Sequence, residues 1–402
     1  MPVPSRAGSA SRRSPPRSWS TTFAWKGRRK EPRRKKTTVG GHAADVCLTA
    51  REARGKGINE PDVSPRSQRP MTPSPAPRVS IVTVTFNAAR FVKPFCEAVA
   101  SFRSAGLETI VVDNASRDET ARIVGEALPA ATVIPSPRNL GFAGGSNLGA
   151  ARAACDVLLL LFLNPDTRPA ADAAERLCLP VWQRESIGAA GCKLVFPDGR
   201  LQCAGGVIGP NGIARQRGWA EPDHGQYDRE EAVDYVPGAA LAIRRDLFCE
   251  LGGFHDGYFP GFYEDTELCL RLRRRGYDVL YLPAPRIVHL ESQSMGRRHL
   301  YWLHRNRLLF LARNARGPIG PAAAREAVWL YREHLRPVCA ALAKGQPRRL
   351  RLEWRRLTSV AAGELAGVPL ALGVRWRLGR SREAEDTAAA AGTRSSVRHA
   401  ES

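Results

Sequence analysis

From residue 79 onward, short apolar runs alternate with stretches whose apolar residues recur every three or four positions. That alternation is the pattern of strands joined by crossover helices, and it predicts an α/β fold with a mostly parallel sheet flanked by helices. The apolar runs place strands at 79–85, 108–113, 131–135, 157–163 and 187–192, with helices near 89–104, 118–128, 144–154 and 169–182. The run from Val157 to Leu163 is too short to span a bilayer. A central strand buried on both faces accounts for it, with Asn164-Pro165-Asp166 ending the ladder. Further on, 277–283 leads into a short strand at 286–289 that closes on His289. In open sheets of this kind ligands gather beyond the carboxyl ends of the strands. Asn87, Asp113 and Asp166 all fall there.

The length of 402 residues suits two or three domains, and 43% apolar residues suffice for one sizeable core. The formal charge of +22 is unevenly spread, since residues 1–70 hold 17 Lys and Arg against 5 Asp and Glu. This Ser-, Pro- and Arg-rich segment lacks apolar periodicity and is expected to be a disordered tail over 1–76. Two readings of the tail compete: a basic arm for nucleic acid or anionic lipid, or sequence upstream of a true start at Met71. Met71, one of three methionines, stands at the expected boundary of order and favours the second. No compact apolar run of the kind a secretory signal needs precedes residue 79. The nine cysteines form no C-x-x-C pair, so neither a zinc site nor a disulfide framework is indicated, and a reduced cytoplasmic setting fits.

Candidate chemistry lies at element ends. Glu264-Asp265 follows an aromatic, Gly/Pro-containing loop and opens a predicted helix, whose free N–H groups favour an ionised carboxylate facing a cleft. Taken alone, helix capping is the readier explanation of such a pair, since Asp and Glu are common in any first turn. Asp113 can accept the imide N–H of a pyrimidine base, or serve only as a turn residue. The segment 138–149 has three close glycines ahead of a predicted helix, which exposes backbone amides to a ribose or phosphate, although it is no dinucleotide fingerprint. Asp166 supplies a hard oxygen donor suited to Mg2+ or Mn2+ on a diphosphate. A lone His usually packs or hydrogen-bonds, but His289 beside Asp166 would suit Mn2+.

Read in order, VSIVTVTFN from Val79, VVDNASRD from Val111, NLGFAGGSN from Asn139, LNPD from Leu163, VPGAALAIRR from Val236, GFHD through Glu264-Asp265, and His289 resemble the family 2 glycosyltransferases of the GT-A fold. The resemblance covers about 78–310 and is nearest to the rhamnosyltransferase-like branch that builds cell-wall and surface polysaccharides. It implies an inverting transferase that moves a sugar, rhamnose from dTDP-rhamnose as the first choice, to a glycan or lipid-linked acceptor. By the same resemblance Thr85 and Asp113 would hold the nucleobase, with Asn87, Asn139 and Gly141 nearby, and Asp166 and His289 would bind a divalent metal. Gly238 and Ala239 would face the donor sugar, and Asp265 would be the general base supported by Glu264. Many members carry Asp where this chain has Asn164, which keeps an acceptor for a ribose hydroxyl but removes a charge and weakens the case for the metal.

The catalytic domain is therefore expected over 77–295, a helical extension over 296–380 and a disordered tail over 381–402. In the extension, 298–313, 322–343 and 350–360 show helical spacing with interleaved Arg. They suit either a helical lid or peripheral contact with the anionic inner face of a cell membrane. The stretch 360–374 contains Glu364 and Pro369 and is short, so it is not assigned as membrane-spanning. Two other classes remain. A nucleotidyltransferase acting on sugar phosphates would need a Gly-rich N-terminal loop with a basic residue, which Thr85–Ala89 does not supply. A nucleic-acid-binding protein would have to work through the basic arm alone, because no specific nucleic-acid motif is found.

Overall fold

The computed structural model describes residues 78–103, 106–209, 212–290, 298–314 and 328–398, so the tail expected over 1–76 lies outside the described residues. Its strands are β1 (Val79–Thr85), β2 (Leu107–Asp113), β3 (Thr132–Pro135), β4 (Leu159–Leu163), β5 (Thr167–Arg168), β6 (Ile187–Val195), β7 (Leu201–Cys203), β8 (Gly206–Ile208), β9 (Ala214–Gln216), β10 (Glu231–Ala232), β11 (Ala240–Arg244) and β12 (Asp278–His289). Ten form one sheet in the order β10-β12-β6-β11-β4-β1-β2-β3, with β5 on β12 and β7 on β6; β8 and β9 make a separate hairpin. Pairing is parallel from β3 to β4 and between β6 and β12. The strand β11, which apolar patterning did not single out, enters between β4 and β6 antiparallel to both and makes the sheet mixed.

The helices are α1 (Val92–Ala100), α2 (Thr120–Ala127), α3 (Gly141–Ala150), α4 (Ala173–Gln183), α5 (Arg245–Glu250), α6 (Glu264–Arg274), α7 (His299–Asn314), α8 (Arg336–Ala343) and α9 (Pro347–Arg398). Side chains alternate across a strand, and β4 shows the result. Leu159, Leu161 and Leu163 join the core beneath α1, α2 and α4, while Leu160 and Phe162 join the one beneath α3, α5 and α6. All five are buried, which explains a continuous apolar run in place of an alternating one.

Three local expectations change. The glycine-rich segment is not a loop before a helix: α3 starts at Gly141, and its later glycines serve packing. A Cβ on Gly149 would come 2.5 Å from Val82 Cγ1, and one on Gly145 2.7 Å from Val84 Cγ1, so the missing side chains let the helix press onto β1. The short strand at 286–289 is the end of a twelve-residue strand whose pairing with β6 shifts between Leu282 and Arg286, where Pro283 and Pro285 cannot donate to the ladder. Lastly, α9 continues through 381–398 of the segment expected to be a disordered tail, in line with the Ala- and Arg-rich composition there, while 399–402 lie outside the described residues.

Within α9 one 18-residue window reaches a mean hydropathy of 1.5, so by length and composition alone the helix Pro347–Val374 could cross a membrane; the turns upstream of 360–374 that supply the extra length carry five Arg and one Glu over 347–356. Glu364 within this stretch is tied to α7, accepting from Arg307 Nη2 at 2.7 Å and lying 2.7 Å from His304 Nδ1. Burial opposes its charge, but the His304 and Arg307 contacts outweigh it and hold the carboxyl below its usual range. The part of the expected helix that falls at 322–327 lies outside the described residues.

Candidate functional site

One cavity of 790 Å³ opens along the carboxyl ends of β1 and β4, and it gathers residues from far along the chain. Asn139, Gly141, Asn164, Asp166, Gly238, Ala239, Glu264, Asp265 and His289 all line it. Thr85, Asn87 and Asp113 do not; their neighbours Val84, Phe86 and Asn114 form the wall. Thr85 and Asp113 are register partners, and Thr85 Oγ1 donates to Asp113 Oδ1 at 3.2 Å, while Ser116 N–H reaches Asp113 Oδ2 at 3.3 Å. Asn87 is exposed, in the left-handed region (φ 49°), and its side-chain oxygen accepts from Arg117 N–H at 2.9 Å. All three therefore stand just behind the wall with their polar atoms engaged.

Asn114 organises the glycine corner. Its amide donates to Gly141 O at 2.9 Å and Asn139 Oδ1 at 3.1 Å, its oxygen accepts from Leu140 N–H, and Asn139 Oδ1 also accepts from Gly141 N–H at 2.8 Å. Gly141 sits at φ +72°, and a Cβ there would lie 2.9 Å from both Phe259 Cδ2 and Pro260 O. Only glycine combines that backbone with so close an approach.

Sheet pairing brings Asp166 and His289 together. β5 pairs with β12 so that His289 faces Thr167, and Leu290 N–H donates to Asp166 O at 3.0 Å. Both side chains are buried, with His289 Nε2 3.2 Å from Asp166 Oδ1 and 3.4 Å from Asn164 Nδ2. The opposite ring nitrogen, Nδ1, lies 2.7 Å from Gln202 Oε1. A carbonyl oxygen can only accept, so a neutral His289 carries its proton on Nδ1 and turns the Nε2 lone pair toward the carboxylate. Two electron-pair donors facing each other at 3.2 Å fit a shared cation. Among the described residues no group of three or more His, Cys, Asp or Glu is gathered for a metal, so the candidate set is Asp166 and His289, with Asn164 as a neutral neighbour. Gln202 was not foreseen: it stands 87 residues from His289, and nothing local marks it.

Glu264 and Asp265 open α6. Gly238 N–H donates to Asp265 Oδ2 at 2.9 Å and Thr266 N–H to Oδ1 at 2.6 Å. Burial raises the Asp265 carboxyl above its ordinary value, against the pull of those N–H groups. Burial, and then the charge of Asp265, pushes Glu264 up much further; Glu264 is 5% exposed and its Oε2 has no hydrogen-bond partner. Both carboxyls thus hold a proton more tightly than usual, Glu264 more so than Asp265, and such a separation between neighbouring carboxyls is one that acid–base chemistry uses. The remaining wall comes from places with no sequence signal: Arg215 and Gln216 on β9, Trp219, and His299 and Trp302 on α7.

Residues 80–247 match the family model described as glycosyl transferase family 2. Over 229 residues the chain is 30% identical to the O-antigen biosynthesis protein RfbC of Myxococcus xanthus, a match covering 54% of this chain. Over 256 residues it is 25% identical to the N-acetylglucosaminyl-diphospho-decaprenol L-rhamnosyltransferase of Mycobacterium tuberculosis, covering 58% of this chain and 83% of that protein. The chain spans 25% and 18% of the length of two longer curated relatives, RfbC being the second. Among solved structures it is similar to the mannosyltransferase PcManGT from Pyrobaculum calidifontis in complex with GDP-Man and Mn2+, with a TM-score of 0.50 at 18% identity, covering 81% of this chain and 94% of that one. At that identity the likeness shows the fold.

Proposed function

Because this chain belongs to glycosyl transferase family 2 and has the GT-A fold, we propose that it is an inverting glycosyltransferase that moves a sugar from a nucleoside diphosphate donor, rhamnose from dTDP-rhamnose, to a glycan or lipid-linked acceptor in surface polysaccharide synthesis. The observation that carries this reading is that Asp166, His289, Gly238 and Asp265 line one cavity. Asp265 takes the proton of the acceptor hydroxyl as it attacks the anomeric carbon, and its raised affinity for protons suits a base. Burial and the charge of Asp265 disfavour a second negative charge on Glu264 beside it. No second carboxylate is needed as a nucleophile, since a single displacement inverts the configuration. Asp166 and His289 would hold Mg2+ or Mn2+, whose chemistry is to neutralise the charge developing on the departing diphosphate. The nucleotide would lie against Phe86, Asn114 and Asn139. The hairpin of β8 and β9, with Trp219, supports a role for 197–227 in choosing the sugar.

The test is a thermal-shift panel of nucleotide sugars, with and without Mn2+. dTDP-rhamnose with Mn2+ should raise the melting temperature most, and Asp166→Ala should remove the Mn2+-dependent part. A panel in which no nucleotide sugar stabilises the protein would refute the reading.

We further infer a cytoplasmic enzyme attached peripherally to the inner face of the membrane. The support is that α8 and α9 expose both apolar side chains, namely Leu342, Leu352, Trp354, Leu365 and Leu372, and the basic side chains of Arg348, Arg349, Arg351, Arg355 and Arg356. Co-sedimentation with anionic vesicles but not with zwitterionic ones is the expected result; equal binding to both, or to neither, contradicts it.

A further inference from the structure

The bend that delivers Glu264 and Asp265 is strained. Phe262 and Tyr263, the two residues before α6, both sit in the left-handed region at φ 76°. For side chains of this size the conformation is disfavoured and persists only where the surroundings impose it. What imposes it is visible in the carbonyl groups. Gly257 O and Phe259 O accept from Arg305 Nη1 at 3.1 and 3.2 Å. Tyr258 O and Gly261 O accept from Asn306 Nδ2 at 2.8 and 2.7 Å, with Phe262 O at 3.3 Å from the same nitrogen. Pro260 O accepts from Phe142 N–H at 2.8 Å. Every carbonyl from 257 to 262 thus has a donor, and five of the six are served by two consecutive side chains on α7.

Those two side chains are themselves fixed. Asn306 is completely buried, and its Oδ1 accepts from Arg305 Nη1 at 2.6 Å, which orients the amide so that both of its hydrogens face the bend. The Arg305 guanidinium lies over the Trp302 ring, 5.6 Å from its centroid, and Trp302 is on the cavity wall. Tyr263 reaches the other way: its hydroxyl donates to Gly212 O at 3.0 Å and lies 3.3 Å from Ala214 N–H, at the foot of β9. The bend is therefore a joint between α7, the glycine corner at Phe142 and the β8–β9 hairpin, with the candidate base at its exit.

We propose that Arg305 and Asn306 are positioning residues for the reaction: together they hold the 257–263 bend in its left-handed form and so set where Asp265 stands in the cavity. The proposal rests on the reading of Asp265 as the base. Removing either side chain leaves backbone carbonyls without donors, lets Phe262 and Tyr263 relax toward ordinary backbone, and moves α6 at its first turn. The Asp166–His289 pair is built on β5 and β12, so it should be untouched, and the glycine corner at Asn114 and Asn139 meets the bend through the Phe142 N–H bond to Pro260 O, which neither substitution removes.

The experiment uses the full chain and the variants Asn306→Ala, Arg305→Met and Arg305→Lys, alongside Asp265→Asn. Amide hydrogen exchange is followed with dTDP and Mn2+ present, and kcat and KM are measured as dTDP release from dTDP-rhamnose with water as the acceptor. We expect exchange at 261–266 to quicken by tenfold or more in Asn306→Ala and Arg305→Met, while the β1 amides at 79–85 are unchanged. Alongside this, kcat should fall at least tenfold with KM for the donor within about twofold, and Arg305→Lys, which keeps a donor, should recover part of the loss. Exchange at 261–266 equal to that of the unaltered protein overturns the proposal. So does a parallel loss of protection at 79–85 and 261–266 in both Asn306→Ala and Arg305→Met, which would mark a general role in stability. If Asp265→Asn keeps full turnover, the base assignment fails. If it loses turnover while Asn306→Ala and Arg305→Met keep theirs, only the clamp fails.

Discussion

Asp166 and His289 stand where strands end, whereas Glu264 and Asp265 stand at the exit of a strained bend. The first pair meets because β5 and β12 are hydrogen-bonded in one sheet, and its orientation is completed by Gln202, which follows directly on the first residue of β7 in that sheet. The second pair depends on a loop whose carbonyls are held by the side chains of a helix outside the sheet. A sheet supplies geometry through backbone ladders, which tolerate most side-chain changes; a clamped loop supplies it through a few side chains and fails when one is lost. The binding half of the candidate site should therefore be robust and the proton-transfer half fragile.

The largest effect expected from that contrast is kinetic. Asp265→Asn keeps the shape and one of the two acceptor oxygens but not the base, and should lower kcat by about 10²- to 10⁴-fold while dTDP affinity, measured by calorimetry, stays within about twofold. An equal loss of dTDP affinity would show that the two pairs are not separable. A smaller effect belongs to the sheet side. Gln202→Leu removes the acceptor that keeps the proton on Nδ1 of His289, and Mn2+ affinity in the presence of dTDP should drop by roughly 10- to 100-fold, with turnover at saturating Mn2+ largely restored. Unchanged Mn2+ affinity would mean that Gln202 does not orient the ligand.

The smallest effect is on stability. The Glu264 carboxyl is raised far above its ordinary value by burial and by Asp265, so the folded protein holds this proton more tightly than the unfolded chain does. Its contribution is fully present below the unfolded value and is lost as pH rises through the folded one. Glu264→Gln, which cannot ionise, should therefore gain melting temperature relative to the unaltered protein as pH rises above the ordinary carboxyl range. A difference that stays constant with pH would show that Glu264 does not titrate in the fold.

Much of the scaffold was legible because burial is periodic. The strands at β1, β2, β3, β4 and β6 follow apolar runs, and β4 announced itself by being apolar on both faces. β11 escaped because its short Ala-Leu-Ala-Ile run, directly after Pro237-Gly238 and Ala239, carries little strand signal of its own, and only its two neighbours make it a strand. The glycines of α3 were misread for a similar reason. Glycine marks either a free backbone or a close approach, and only the position of Val82 and Val84 tells which. Of the candidate site residues, those at strand ends and at the start of α6 were found from chemistry typical of such ends. Thr85, Asn87 and Asp113 were placed at the right edge of the sheet, but whether a side chain at that edge reaches the cavity or turns back to a neighbour depends on one bond rotation that local pattern does not encode.

By itself the sequence determined most of the strands and helices between β1 and β6, where the carboxylates cluster along the chain, and which family the central region resembles, because these follow from local periodicity and short-range motifs. Tertiary structure alone decided that Gln202 would meet His289 across 87 positions and that Asn306 would reach back to the carbonyl groups of 258–262. Such meetings depend on the order of strands in the sheet and on how a later helix docks, and those are settled by the burial of the whole core.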